Sequence, residues 1–154
     1  MLKYTSLLAF VAFMFALYFL VPRDKIKEHT AFGLVAGPVL GLILLYFMSS
    51  RFGFWRFGPI DFFIMDIPLF MALIWYPLEV GFAYYFLHSN NTGMYLTVIL
   101  FLPVLASLSH LALIQLNLLS YQNWSLLATF IQSLIIHSVL AVYLYFTARV
   151  DVAS

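Results

Sequence analysis

"DIPLFMALIWYPLEVGFAYYF", residues Asp66–Phe86, is an apolar run about as long as the ~20 residues that cross a bilayer as a helix. It carries a carboxylate at its start and a second, Glu79, well inside, together with Pro68 and Pro77. Asp66, with proline two positions on, reads as a helix N-cap at the membrane surface: its oxygens accept from free backbone N–H groups, and a first-turn proline has no N–H to satisfy. Glu79 has no such role. In a helix that begins near Ile67 it sits about 18 Å along a span of roughly 30 Å. A central acid costs about 2.5–3.5 kcal/mol in hydrocarbon, so Glu79 is expected to face other helices and to have a partner or to be protonated.

The rest of the chain agrees with a lipid environment. Hydrophobic residues make up 65% and charged residues 8% of 154 residues, against about 25% charged in a water-soluble domain, too little polar surface to cover a globule in water. Seven Lys and Arg scattered over the whole length, with a net charge of +1, argue against nucleic acid as a partner. The absence of cysteine excludes disulfides, thiolate nucleophiles and cysteine-ligated metals. No GxSxG elbow, P-loop or HExxH motif is present, so no cofactor is expected and hydrolytic or nucleotide-driven chemistry has no support.

Five apolar runs predict an all-α polytopic bundle, a single membrane domain over 1–154 with spans near 4–21, 30–48, 67–87, 94–116 and 126–146. The connections are short, which makes sequential helices antiparallel neighbours. The first run resembles a signal peptide, but no small-x-small cleavage site precedes "VPRDK", and it reads as a retained helix. Arg23, Lys25 and Lys27 follow it and only Lys3 precedes it, which favours an outer N-terminus; Arg149 supports this and Arg51 with Arg56 opposes it. Trp55, Tyr121 and Trp124 then fall in two connections on one side, where amphipathic rings suit the headgroup level. The sequons at Asn90 and Asn123 would lie on opposite sides and close to the membrane, and read as chance.

In "GLVAGPVLG", Gly33, Gly37 and Gly41 recur every four residues. Such a stripe lets another backbone approach closely, either a helix of the same chain or one from a second copy or another subunit. Pro38 within it predicts a kink.

A partner for Glu79 follows from helix register. A turn centred on Asn90 and Asn91 puts Glu79 level with Leu102; a turn at Tyr121 puts Leu102 level with Leu140, about 4.5 Å along the axis from His137. The same register pairs the depth of His110 with Gln132, and that of Asp66 with Gln115. Thr129, Ser133 and His137 recur every four residues with Gln132 beside them, and Ser107 shares a face with His110, so a polar stripe faces protein or water. Asp66, Glu79, His110, Gln115, Gln132 and His137 are the expected buried polar residues. Two roles stay open for them: hydrogen bonding between helices, or a ligand or proton site. His110 and His137 lack a tight His and carboxylate spacing, so no metal is expected. Pro77 should free the carbonyl of Leu73 and bend the helix beside Trp75, Tyr76, Tyr84 and Tyr85, a setting suited to an apolar ligand with one polar handle.

The run "FLVPRDKIKEH", a second span, and then "FGFWRFGPIDFFIMDIPLFMALIWYPLEVGFAYYF" resemble small uncharacterised multi-pass membrane proteins of Gram-positive spore-forming bacteria. That resemblance implies a bacterial plasma-membrane (inner-membrane) protein and no particular activity. "WYPLEVGFAYYF" is similar to the proline–aliphatic–glutamate segment of integral-membrane lycopene cyclase domains, with Val80 where that motif commonly has a second acid. This second resemblance implies acid-assisted isomerisation of a polyene, with Glu79 as proton donor.

The expectation for function is a small structural or interaction subunit without catalysis, in contact with the bilayer, a second copy or another membrane subunit. The alternatives are a carotenoid- or isoprenoid-modifying enzyme that uses Glu79, and a proton-linked transporter that uses Glu79, His137 and His110.

Overall fold

The computed structural model describes residues 4–60, 62–64, 67–89 and 91–153. Asp66, expected as a cap, and the Asn90 sequon lie outside the described residues. The architecture is an all-α bundle of five helices: α1 Thr5–Leu20, α2 Arg23–Arg51, α3 Leu69–Leu87, α4 Thr92–Gln115 and α5 Leu126–Ala153. By length and composition, α2, α3, α4 and residues Leu126–Thr147 of α5 can each cross a membrane, and α1 is a shorter apolar helix. The bundle is apolar outside and mostly apolar inside, with a small set of polar side chains buried in it. On α5, Ile135 is 60% exposed while His137, two residues on, is 2% exposed. Lipid solvates the first, and protein has to satisfy the second.

Helices α2 and α3 meet along the glycine stripe. A Cβ on Gly37 would lie 2.8 Å from the Trp75 carbonyl carbon and from the Tyr76 nitrogen, and one on Gly33 would collide with the Val80 side chain. At Gly41 the nearest atom, Trp75 Cδ1, is 3.4 Å away, an ordinary contact. The stripe is thus occupied by α3 of the same chain. Around Pro38 the helix loosens into a π-helical turn, Val35–Val39, which absorbs the missing N–H at the place expected for a kink.

Helix α3 breaks at Ile74, between Leu69–Leu73 and Trp75–Leu87. Pro77 explains the break, since its ring clashes with the carbonyl of Leu73 and has no N–H to offer it. The start of α3 differs from the expectation. The residue before a proline disfavours helical geometry, so Ile67 stays extended, pairs through Ile67–Pro68 with Phe63–Ile64, and the helix begins at Leu69 with Pro68 at the capping position. At α4 the cap is Asn91, whose side chain accepts from the Met94 N–H at 2.9 Å.

One end of the bundle is tied by two pairs of strands, in segments whose composition predicts only plain connections. Here β1 Trp55–Phe57, β2 Phe63–Ile64, β3 Ile67–Pro68 and β4 Leu119–Tyr121 form antiparallel pairs, β1 with β4 and β2 with β3. The register sets Trp55 opposite Tyr121, so the α2–α3 and α4–α5 connections are stitched together. Asn117 and Asn123, both with φ near 55°, supply the left-handed turns on either side of β4, a conformation that asparagine tolerates better than most residues. Trp55 does not face outward as a belt residue would. It is buried among Leu45, Met48, Ile60, Leu113 and Leu119.

The tight contact at Gly37 makes a specific prediction. Gly37→Ala should destabilise the protein by about 1–3 kcal/mol through overpacking against backbone, and Gly41→Ala should cost markedly less. Thermal melts of both variants in the same detergent test this.

Candidate functional site

The helix break and the glycine contact bring Glu79 of α3 against α5. Glu79 Oε1 lies 3.0 Å from His137 Nε2, and both side chains are 2% exposed. The depth layers read from the sequence thus coincide with a direct contact. On its other side, His137 Nδ1 is 2.6 Å from the Ser133 carbonyl, with the Ser133 hydroxyl 3.2 Å away. A carbonyl can only accept, so Nδ1 carries a hydrogen. The Nε2···Oε1 contact then holds a single shared proton, on the imidazole or on the carboxyl. Trp75 and Phe82 frame the His137 ring, with centroids 5.9 and 5.4 Å away.

Next to this pair lies a cavity of about 50 Å³, walled by Ala36, Leu40, Gly41 and Leu44 of α2, Trp75 of α3, Ala106 and His110 of α4, and Thr129, Gln132, Ser133 and Ile136 of α5, with Trp55 of β1 and the pair itself. At ~10–15 Å³ per water, it has room for on the order of three waters. Two buried polar atoms of its wall residues have no hydrogen-bond partner among the described residues: Glu79 Oε2 and Trp55 Nε1. The first can accept, and the second can only donate. An unpaired buried polar group of this kind costs about 1–3 kcal/mol. Gln132, half-buried, donates weakly from Nε2 to Met48 Sδ at 3.4 Å.

A hydrogen-bonded group closes the chamber toward the strands. His110 Nδ1 is 2.7 Å from the Tyr121 hydroxyl, which is 2.7 Å from Thr129 Oγ1, and Trp124 Nε1 donates to the same Thr129 oxygen at 3.0 Å. Burial pushes the Tyr121 phenol up, so at neutral pH it keeps its proton and can donate and accept at once. Trp55 packs edge-on to His110, with ring centroids 4.8 Å apart.

A second and larger space adjoins the chamber. A cavity of about 210 Å³ shares Gly41, Leu44, Trp55, Trp75, Ala106 and His110 with it and reaches Ser6 and Phe13 of α1. A further cavity of about 350 Å³ continues from Phe13 and Leu78 between α1 and α4, and its wall includes Leu20 and Phe101, both more than half exposed on the lipid side. Together they form an apolar cleft whose upper end abuts the chamber beside the Glu79–His137 pair.

Of the residues named from the sequence, Glu79, His110, Gln132 and His137 meet at the chamber. Gln115 does not. It ends α4 and is exposed, because the chain turns out toward β4 immediately after it. Ser107, on the His110 face, donates to the Pro103 carbonyl of its own helix at 2.9 Å and stays clear of the chamber. Sequence reasoning missed the inward roles of Trp55, Tyr121 and Trp124. The period-two alternation of large apolar and polar residues in Trp55–Phe57 and Leu119–Tyr121 was the available signal for Trp55 and Tyr121. Among the described residues, no three His, Asp or Glu side chains gather as metal ligands. Comparison with protein-family models, curated proteins and solved structures finds no match to the chain.

The shared proton links the two partners' stability. His137→Leu should cost about 1–3 kcal/mol by leaving the Glu79 carboxyl unpaired, and Glu79→Leu combined with His137→Leu should cost less than the sum of the two single changes. A double-mutant cycle from thermal or denaturant unfolding in detergent measures the coupling.

Proposed function

We propose that this chain is a membrane-embedded binding protein for a lipid-phase molecule with a small hydroxyl-type head. The head occupies the polar chamber, and the tail lies in the cleft between α1 and α4. The observation that carries this reading is the pair of unfilled groups at the chamber, one acceptor on Glu79 and one donor on Trp55, beside an apolar cleft. A hydroxyl supplies both complements, since it donates one hydrogen bond and accepts others. The cavity of about 350 Å³, continued by that of about 210 Å³, reaches the size range of small-molecule sites.

Binding fits the geometry better than the two more active alternatives. An acid that protonates an alkene must hold its proton against weak competition, whereas Glu79 shares its proton with an imidazole 3.0 Å away, a far better base than any alkene. A through-transporter needs polar groups toward both faces, and the side of the pair away from the strands is closed by Phe82, Ala83, Phe86, Leu102, Ala141 and Leu144. We read the strand end as the outer face of a bacterial plasma membrane, on the strength of Arg23, Lys25 and Lys27 at the other end.

The test uses the protein in phosphatidylcholine nanodiscs with a long-chain primary alcohol that carries a photoreactive diazirine near its tail end. The expected result is crosslinking to α1 and α4 near Phe13 and Phe101, competed by unlabelled alcohol but not by an alkane of equal length. Trp55→Phe removes the donor and should weaken binding roughly tenfold, the equivalent of about 1.4 kcal/mol. Equal competition by the alkane, or unchanged binding to Trp55→Phe, would refute the reading.

A further inference from the structure

The chamber is connected on one side by hydroxyl and imidazole groups and closed on the other by apolar packing, and this asymmetry carries an inference independent of any ligand. We propose that the Glu79–His137 pair exchanges its shared proton with one membrane face only, the strand face, through chamber water and the His110, Tyr121 and Thr129 hydrogen-bonded chain.

The chain has the chemistry of a relay. Tyr121 O–H has one hydrogen and stands 2.7 Å from both His110 Nδ1 and Thr129 Oγ1, so it donates to one and accepts from the other. Two settings satisfy every group. In one, His110 Nδ1–H donates to Tyr121 and Tyr121 donates to Thr129, whose hydroxyl donates to the Ser125 carbonyl at 3.3 Å. In the other, Thr129 donates to Tyr121 and Tyr121 to an Nδ1 without hydrogen, the tautomer of His110 that carries its proton on Nε2. Trp124 Nε1–H donates to Thr129 in both and keeps that oxygen in position.

Inward transfer balances atom by atom. His110 Nδ1 takes the Tyr121 proton, and Tyr121 is replenished by Thr129. Thr129 is itself buried and is replenished in turn when local opening around the exposed Ser125 one turn away admits interfacial water. His110 Nε2 then gives up its proton to water in the chamber, which delivers it to Glu79 Oε2 or to whichever atom of the pair is bare. One proton leaves the interface and one arrives at the pair, leaving His110 as its Nδ1–H tautomer; outward transfer runs the same steps in reverse and restores the starting tautomer, so the exchange balances in both directions. His110 and Thr129 both line the chamber, as do Glu79 and His137, so a few waters span the remaining gap.

The titratable groups on this route are Glu79 from α3, His110 from α4, His137 from α5 and Tyr121 from β4. Helix α2 faces the chamber with Ala36, Leu40, Gly41 and Leu44, none of them charged. Beyond the pair, Phe82 lies against the His137 ring, and the buried cluster around Phe86, Leu102 and Leu144 follows. Hydrocarbon of that kind conducts no proton without a chain of hydrogen bonds.

The experiment applies a pH jump to the external face of proteoliposomes sorted by orientation, and follows the Glu79 carboxyl by infrared difference spectroscopy with Glu79→Gln as the blank. Vesicles with the strand face outward should respond promptly, and those with it inward should not respond while the internal pH is held. Tyr121→Phe, which keeps the ring and removes the relay hydroxyl, should slow the response by tenfold or more, and Thr129→Val should do the same. A response from both faces, a response from neither, or wild-type rates in both variants would overturn the proposal. The sidedness measurement needs only the wild-type chain and the blank, so it decides the matter even where a relay variant fails to fold.

Discussion

A carboxyl group cannot sit alone near the centre of an apolar bundle, and the arrangement of the interior follows from how Glu79 is accommodated. The partner is an imidazole that is itself fixed by a backbone carbonyl one turn away on the same helix, so the position of α5 relative to α3 is set by a directional contact and not by packing alone. The close approach of α2 to α3 at Gly37, where backbone meets backbone, sets the opposite wall. Between these two fixed contacts the helices leave a space whose wall is mainly apolar, with polar groups of Glu79, His110, Thr129, Gln132, Ser133 and His137 set into it. The chamber is thus a by-product of pairing one acid inside an apolar bundle.

Much of this was legible in the sequence because lipid imposes strong rules. Runs of about 20 apolar residues, separated by short polar connections, identify helices with little ambiguity. The depth of Glu79 and the four-residue recurrence of Thr129, Ser133 and His137 identified the polar layer, since a hairpin of straight helices has a nearly forced register. Gln115 was misplaced because register gives depth and not facing: it closes α4 close to the predicted end, and its side chain is exposed. The start of α3 was placed early because Ile67 and Pro68 were read as the first turn, whereas the restriction that Pro68 imposes on Ile67 favours a short extended pair.

What the sequence did not disclose was the inward turn of the aromatic residues in the connections. Trp55, Tyr121 and Trp124 have the composition of a headgroup belt, and composition alone cannot separate a ring that floats at an interface from one that seals a cavity. The difference rests on pairing between two connections far apart in the chain, and non-local strand pairing of three residues leaves only a faint alternation as its trace. The functional group at the upper end of the chamber is therefore a product of tertiary structure, whereas Glu79 and His137 were prefigured by their own helices.

The strand pairing also gives the bundle a mechanical character. Because β1 follows α2 and β4 lies between α4 and α5, one small antiparallel ladder holds together helices that would otherwise be joined only through side chains. Backbone hydrogen bonds at that end act as a clasp, while among the described residues the other end is held by packing among Phe82, Phe86, Leu102 and Leu144 and by a side-chain hydrogen bond from Tyr85 to the Leu20 carbonyl. Any splaying of the helices pivots about the clasp, so its amplitude grows with distance from it, as in a clothes-peg. Thickening or thinning of the surrounding bilayer would thus be felt first at the unclasped end, while the geometry around Trp55 and His110 stays in register.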